Sequence, residues 1–180
     1  MGAPRVLVTG AAGYLGSQLV AALAAGARRP AALVAMDVRE VAAAAQRPGI
    51  IYATADIRAP DLAAMLERHA IDTVVHLASI VTPGKNSNRE FEYSVDVLGT
   101  ENLLNACVAA GVRKIVVSSS GAAYGYHADN PAWITEDAPV RGNQEFAYSW
   151  HKRLVEEMLA DYRARAPQLQ QVVFRIGTIL

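Results

Sequence analysis

Residues 5–16 read Arg-Val-Leu-Val-Thr-Gly-Ala-Ala-Gly-Tyr-Leu-Gly. A short apolar run reaches Thr9, glycines follow at 10, 13 and 16, and leucines recur at 15, 19 and 23. The run predicts a strand, and the leucine spacing predicts a helix directly after it. Glycine in the turn between them leaves room for a ligand to approach the backbone, and the helix N-terminus offers unpaired N–H groups and the positive end of a dipole. A pyrophosphate fits such a place. Tight turns also collect glycine, so the spacing Gly-x-x-Gly-x-x-Gly gains its force from its position in a first strand–helix turn.

The pattern continues outward. Strands are expected at Arg5–Thr9, Ala32–Met36, Ile50–Ala53, Thr73–Ala78, Lys114–Ser119 and Gln171–Ile176. Most are apolar throughout, as strands covered on both faces should be. Helical stripes fall between them: Leu62, Met65, Leu66 and His69; Leu103, Leu104, Cys107 and Val108; and, after Lys152, Val155, Met158, Leu159 and Tyr162, stopping before Pro167. A short helix is expected at Val41–Ala45 and an exposed loop over Pro83–Glu90. Alternating strands and helices predict an α/β fold, a doubly wound parallel sheet of six strands, in one domain over residues 1–180. The run from Phe174 reads as a strand leaving the sheet, and more chain would be expected to close the site.

Composition narrows the partners. The 180 residues are 52% hydrophobic and 19% charged, with a formal net charge of zero, so no basic patch invites nucleic acid. The alanine-rich stretch from Leu19 to Ala27 is too short to span a bilayer, and no secretory signal is expected. Cys107 is the single cysteine, a buried thiol that suits a reducing cytosol. The four histidines, at 69, 76, 127 and 151, show no metal spacing. His76 is expected to be a satisfied strand-end residue, His127 a loop residue that could line a pocket, and His151 a solvent-facing one.

Candidate chemistry gathers at the carboxyl ends of the strands. Asp37 ends the second strand about 20 residues past the glycines, where a carboxylate holds both adenosine ribose hydroxyls and repels a 2′-phosphate. That favours NAD over NADP, with Arg39 able to soften the choice. Asp56-Ile57 could reach the adenine edge or simply form a turn. Ser120 closes the fifth strand. Tyr148 and Lys152 stand at i and i+4, on one helix face about 5–6 Å apart at Cβ. An ammonium that close favours the phenolate, so the pair could move a proton at an alcohol.

With these residues placed, the chain resembles the extended short-chain dehydrogenase/reductase superfamily, NAD-dependent epimerase/dehydratase group. The motifs run Thr9–Gly16, Asp37, Asp56-Ile57, His76-Leu-Ala78, Gly99-Thr-Glu-Asn-Leu-Leu104, Ser118–Gly125 and Tyr148 to Lys152. The resemblance implies a Rossmann-like domain with NAD held by Gly10, Gly13, Tyr14, Leu15, Gly16, Asp37, Asp56, Ile57, Leu77, Ala78, Tyr148 and Lys152. It makes Tyr148 the general acid/base, Lys152 the ribose-holding and tuning cation, and Ser120 the residue that orients substrate. It implies a nucleotide sugar as substrate, a cytoplasmic enzyme, a homodimer built on the helix near Phe91 and the helix holding Tyr148, and a C-terminal substrate lobe that these residues lack. Two other readings use the same residues: oxidation or reduction of a steroid-like or small carbonyl compound, and a nucleotide sensor without turnover. One departure concerns Asp96, which stands in Asp-Val-Leu-Gly-Thr where similar proteins carry Asn. It keeps an acceptor oxygen and loses the amide donor.

Overall fold

A computed structural model describes residues 2–82, 85 and 88–179. Six strands form one sheet: β1 (Arg5–Thr9), β2 (Ala32–Asp37), β3 (Ile51–Thr54), β4 (Thr73–His76), β5 (Lys114–Ser120) and β6 (Gln170–Ile176). All neighbours pair in parallel, in the order β3-β2-β1-β4-β5-β6. The chain winds outward from β1 to β3, then returns to pair β4 on the other side of β1. That reversal opens a crevice beyond the carboxyl ends of β1 and β4, the place where open α/β sheets take ligands.

Helices cover the sheet as α1 (Tyr14–Ala25), α2 (Leu62–Arg68), α3 (Arg89–Tyr93), α4 (Gly99–Ala109) and α5 (Ala147–Arg165). A π-turn, Ser94–Leu98, joins α3 to α4, and 3-10 turns occur at Ala43–Ala45 and Gly121–Tyr124. One core layer packs Leu7, Val34, Val74 and Ile115 of the sheet against Leu66, Leu103, Leu104 and Leu159 of the helices. The other packs Val6, Val8, Leu33 and Ala35 against Val20 of α1, with Leu19 and Leu23 partly buried beside it. Each fully buried Leu or Val stabilises by roughly 1.5–3 kcal/mol. No helix among the described residues is long and apolar enough to cross a membrane.

Several boundaries differ from expectation for local reasons. β4 stops at His76 because the next two amides turn to Thr9, Leu77 N–H to its carbonyl and hydroxyl and Ala78 N–H to its hydroxyl. The stretch 41–45 forms only a 3-10 turn over its last three residues. Part of the expected loop at 83–90, namely Pro83, Gly84, Asn86 and Ser87, lies outside the described residues; Arg89 and Glu90 already belong to α3, capped where Asn88 accepts from Phe91 N–H at 2.8 Å. The edge strands are not covered on both faces. β6 alternates, with Val172 and Phe174 exposed, and Ile51 of β3 is exposed too.

Candidate active site

The first turn is built by its glycines. Gly10 adopts φ +68, and a Cβ there would meet Ala78 N at 2.7 Å, so it lets β1 and the end of β4 touch. A Cβ on Gly16 would come within 2.1 Å of Gly10 O, so it lets α1 pack on the turn. Gly13 differs, because the nearest protein atom to its Cβ would be Gly10 O at 3.2 Å. It is the N-cap of α1, without a side-chain cap or an acidic residue in the first turn. Two glycines therefore serve the fold, and the third leaves an open helix N-terminus suited to an anion.

Gly10, Gly13, Tyr14, Leu15 and Gly16 line a cleft of about 1380 Å³. Asp37, Asp56 and Ile57 line its β2–β3 side, Leu77 and Ala78 its middle, and Ser120, Tyr148 and Lys152 its β5 side. The candidate catalytic and cofactor-binding residues thus all open on one cavity, whereas His127 does not line it and bonds Gly142 O instead.

Asp37 is nearly buried. Its Oδ2 accepts from Ala12 N–H at 2.9 Å, and its Oδ1 accepts from Arg39 N–H at 3.0 Å and Arg39 Nε at 3.2 Å. Burial pushes its carboxyl up, but the bonds from Arg39 and Ala12 outweigh burial and hold it below the ordinary range. Asp56 is lowered chiefly by its bonds from Arg58, whose guanidinium also reaches Ser94 Oγ and lies over Phe91. Asp56 is therefore a turn residue and a cleft residue at once. Ile57 is buried under α4, approached through Gly99.

The β5 side holds the titratable groups. Lys152 is buried, and its Nζ donates to Ser118 O at 3.0 Å and stands 5.4 Å from the Tyr148 ring centre. Burial lowers its ammonium, against the pull of Asp96 and Glu156. Burial raises the Tyr148 phenol above its ordinary value, a bond to Ser120 partly opposes this, and the charges of Asp96 and Tyr126 add to the rise. The expectation that the nearby ammonium favours the phenolate is thus corrected, because burial raises the phenol and it is Ser120, not Lys152, that opposes the rise. Ser120 Oγ also accepts from Ala122 N–H at 3.1 Å, which fixes its direction.

His76 sits behind the cleft. Thr100 gives its hydroxyl proton to Asp96 O, so it accepts from His76 Nε2–H. Thr9 Oγ1 already accepts from Leu77 and Ala78 N–H, so its proton goes to His76 Nδ1. The network leaves the imidazole neutral, and burial, with Lys152 nearby and Asp96 in opposition, pushes its pKa down to about 3. His151 corrects the reading of it as solvent-facing. It is 3% exposed and its Nδ1 lies 3.1 Å from Asp96 Oδ2. The apolar stripe Val155–Leu159–Tyr162, extended back one turn, passes through residue 151 and could have indicated its burial. Nothing local in the sequence marks the pairing of Asp96 with it.

Comparison with known proteins agrees with this geometry. The NAD dependent epimerase/dehydratase family matches residues 6–180. A UDP-glucose 4-epimerase of Azospirillum brasilense is 34% identical over 177 residues, covering 96% of this chain and 48% of its own length. A UDP-glucose-4-epimerase of Stenotrophomonas maltophila, solved with NAD and formylated UDP-arabinopyranose, superposes with a TM-score of 0.80 at 30% identity, over 96% of this chain and 52% of that one. The Brucella ovis UDP-glucose 4-epimerase in complex with NAD gives 0.80 at 31% identity, over 96% and 51%. The chain spans about half the length of the curated relatives it matches.

Proposed function

Because the chain belongs to the NAD dependent epimerase/dehydratase family, we propose that it binds NAD and serves an enzyme that epimerises a nucleotide sugar, in the manner of a UDP-glucose 4-epimerase. The observation that carries this reading is the meeting of Ser120, Tyr148 and Lys152 with the glycine turn in one cleft. The residues present fit the dinucleotide: an uncapped helix N-terminus at Gly13 for the pyrophosphate, and the Asp37 carboxylate for the adenosine ribose. Asp56 and Ile57 flank the adenine end, and Leu77 and Ala78 back the nicotinamide end.

Bound NAD supplies the hydride acceptor. Tyr148 would take the proton of the substrate hydroxyl at its phenolic oxygen and return it to the same substrate oxygen, so that NAD need carry only the hydride. Ser120, held by Ala122 N–H and bonded to Tyr148, orients the hydroxyl beside the phenol. Lys152, whose Nζ lies 5.4 Å from the Tyr148 ring centre, would hold the nicotinamide ribose beside the phenol. The exposed apolar residues Phe91, Tyr93 and Leu98, on the helical run beside α5, support a homodimer face. Cys107, the single cysteine of the sequence and a free one, fits a cytoplasmic setting.

In the full-length protein, Tyr148→Phe removes only the ionisable hydroxyl. NAD affinity should survive while turnover of UDP-glucose falls by roughly 10²–10⁴. Full activity in this variant removes Tyr148 from the mechanism, whereas a wild type that binds NAD and turns over no nucleotide sugar favours a nucleotide sensor.

A further inference from the structure

Asp96 lies on the π-turn between α3 and α4, and it is 4% exposed. Its Oδ1 accepts from Ser79 Oγ–H at 3.0 Å and from Ile80 N–H at 2.8 Å, on the loop that continues β4 along the cleft. Its Oδ2 faces His151 Nδ1, next in sequence to Lys152 on α5. One buried carboxylate therefore joins the two walls of the cleft, the loop flanked by Ala78 and the helix carrying Tyr148 and Lys152. Single π-turns within helices occur often at functional sites, because they turn a side chain out of its usual direction.

We propose that Asp96 and His151 form a positioning pair that sets the spacing between the 78–80 loop and the Tyr148–Lys152 helix, and thereby the width of the nicotinamide end of the cleft. Both residues act through others: Asp96 through the loop backbone, His151 through the helix that presents Lys152. The pair deepens the proposed function and its catalytic consequence rests on that reading, while the clamp itself rests on the loop and helix alone.

The carboxylate is the chemically demanding member. It accepts from His151 whether the ring is neutral with its proton on Nδ1 or fully protonated. An amide at position 96 still accepts from the loop through its oxygen, but its NH2 then faces Nδ1 and bonds only a ring that has no proton there. Protonation of His151 sets two donors against each other. Titratable groups around the pair include buried Glu92, one turn before Asp96 on α3, Tyr93, whose ring meets His151 edge-on at 5.7 Å, and Lys152, Tyr148 and His76, which feel the Asp96 charge.

The test uses the chain in solution with three readouts: amide exchange at Ile80, ring chemical shifts of His151, and calorimetric titration with NAD. In Asp96→Ala, the Ile80 amide should exchange about tenfold faster or more, with β1 and β4 protection retained, and NAD affinity should fall about tenfold, as expected for a lost buried hydrogen bond to a charged acceptor. In Asp96→Asn, both losses should appear only as His151 takes up its proton. In Asp96→Asn with His151→Asn, an amide oxygen stands near the place of Nδ1, and the pH dependence should disappear. Wild-type Ile80 protection and NAD affinity in a folded Asp96→Ala protein would overturn the proposal, as would an Asp96→Asn protein indifferent to the state of His151. Failure of the wild type to bind NAD would instead sink the proposed function, leaving the clamp to be decided on Ile80 alone.

Discussion

Asp37 carries its charge at neutral pH, since Arg39 and Ala12 hold its carboxyl low despite burial. A ribose 2′-hydroxyl can donate to that carboxylate, whereas a 2′-phosphate meets like charge. Arg39, paired with Asp37 and 64% exposed along its side chain, sets a positive charge beside any 2′-phosphate held there, so it works against the discrimination. Calorimetry should show NAD binding more tightly than NADP, the gap narrowing in Asp37→Ala and widening in Arg39→Ala. Equal affinities in the wild type would refute the assignment. The glycines divide similarly. Gly13→Val should remove NAD binding from a folded protein, because position 13 lines the cleft and the nearest atom to its Cβ, Gly10 O, stands 3.2 Å off; Gly16→Ala should unfold more readily, because its Cβ meets backbone at 2.1 Å. The sequence could show that these positions needed glycine, but not which served turn and which served ligand, because that depends on how β4 approaches Gly10. The pairing of His151 was illegible for the same reason: its partner is 55 residues away, on a turn whose π geometry no propensity announces.

His76 ties three elements together through hydroxyls, Thr9 of β1 and Thr100 of α4, from its own place at the end of β4. It is buried neutral with its pKa pushed down to about 3, so below the ordinary imidazole value of 6.5 the unfolded chain binds a proton that the folded chain refuses. The proton count is higher in the unfolded state, and stability therefore rises with pH through this window and falls on acidification. The slope approaches about 1.4 kcal/mol per pH unit. Asp37 and Asp56, both held low, add their own loss only further into acid. Urea unfolding of the wild type between about pH 7 and pH 4 should show this loss, and His76→Gln, less stable at neutrality, should show a shallower one. A wild type whose stability is flat over that range would mean that His76 is not neutral. Strand positions were legible because the six runs are apolar enough to declare themselves, and even the departures are local, β4 ending where Thr9 captures two amides. The exposed face of β6 was not legible, since Val172 and Phe174 read as core wherever their neighbours are unknown.

At the scale of the molecule, the cleft draws residues from the carboxyl end of every strand, from Gly10 after β1 to Gly177 after β6. A ligand that fills it contacts the whole sheet rather than one lobe, so binding must be felt as global stability. That distinguishes a dinucleotide spread across the switch point from an anion caught only at the α1 N-terminus. A ligand present at 100 times its dissociation constant adds about 2.7 kcal/mol to the folded state. For a chain of this size each kcal/mol moves the melting midpoint by roughly 2–4 °C. Saturating NAD should therefore raise the midpoint by about 5–11 °C where unfolding is reversible. Pyrophosphate alone should raise it far less, because it leaves Asp37 and the β5 side untouched. Gly13→Val should melt near the unliganded wild type and lose the response to NAD. If NAD and pyrophosphate gave equal shifts, the helix N-terminus would be the entire site, and the union of Ser120, Tyr148 and Lys152 with the glycine turn would have no bound ligand to act on.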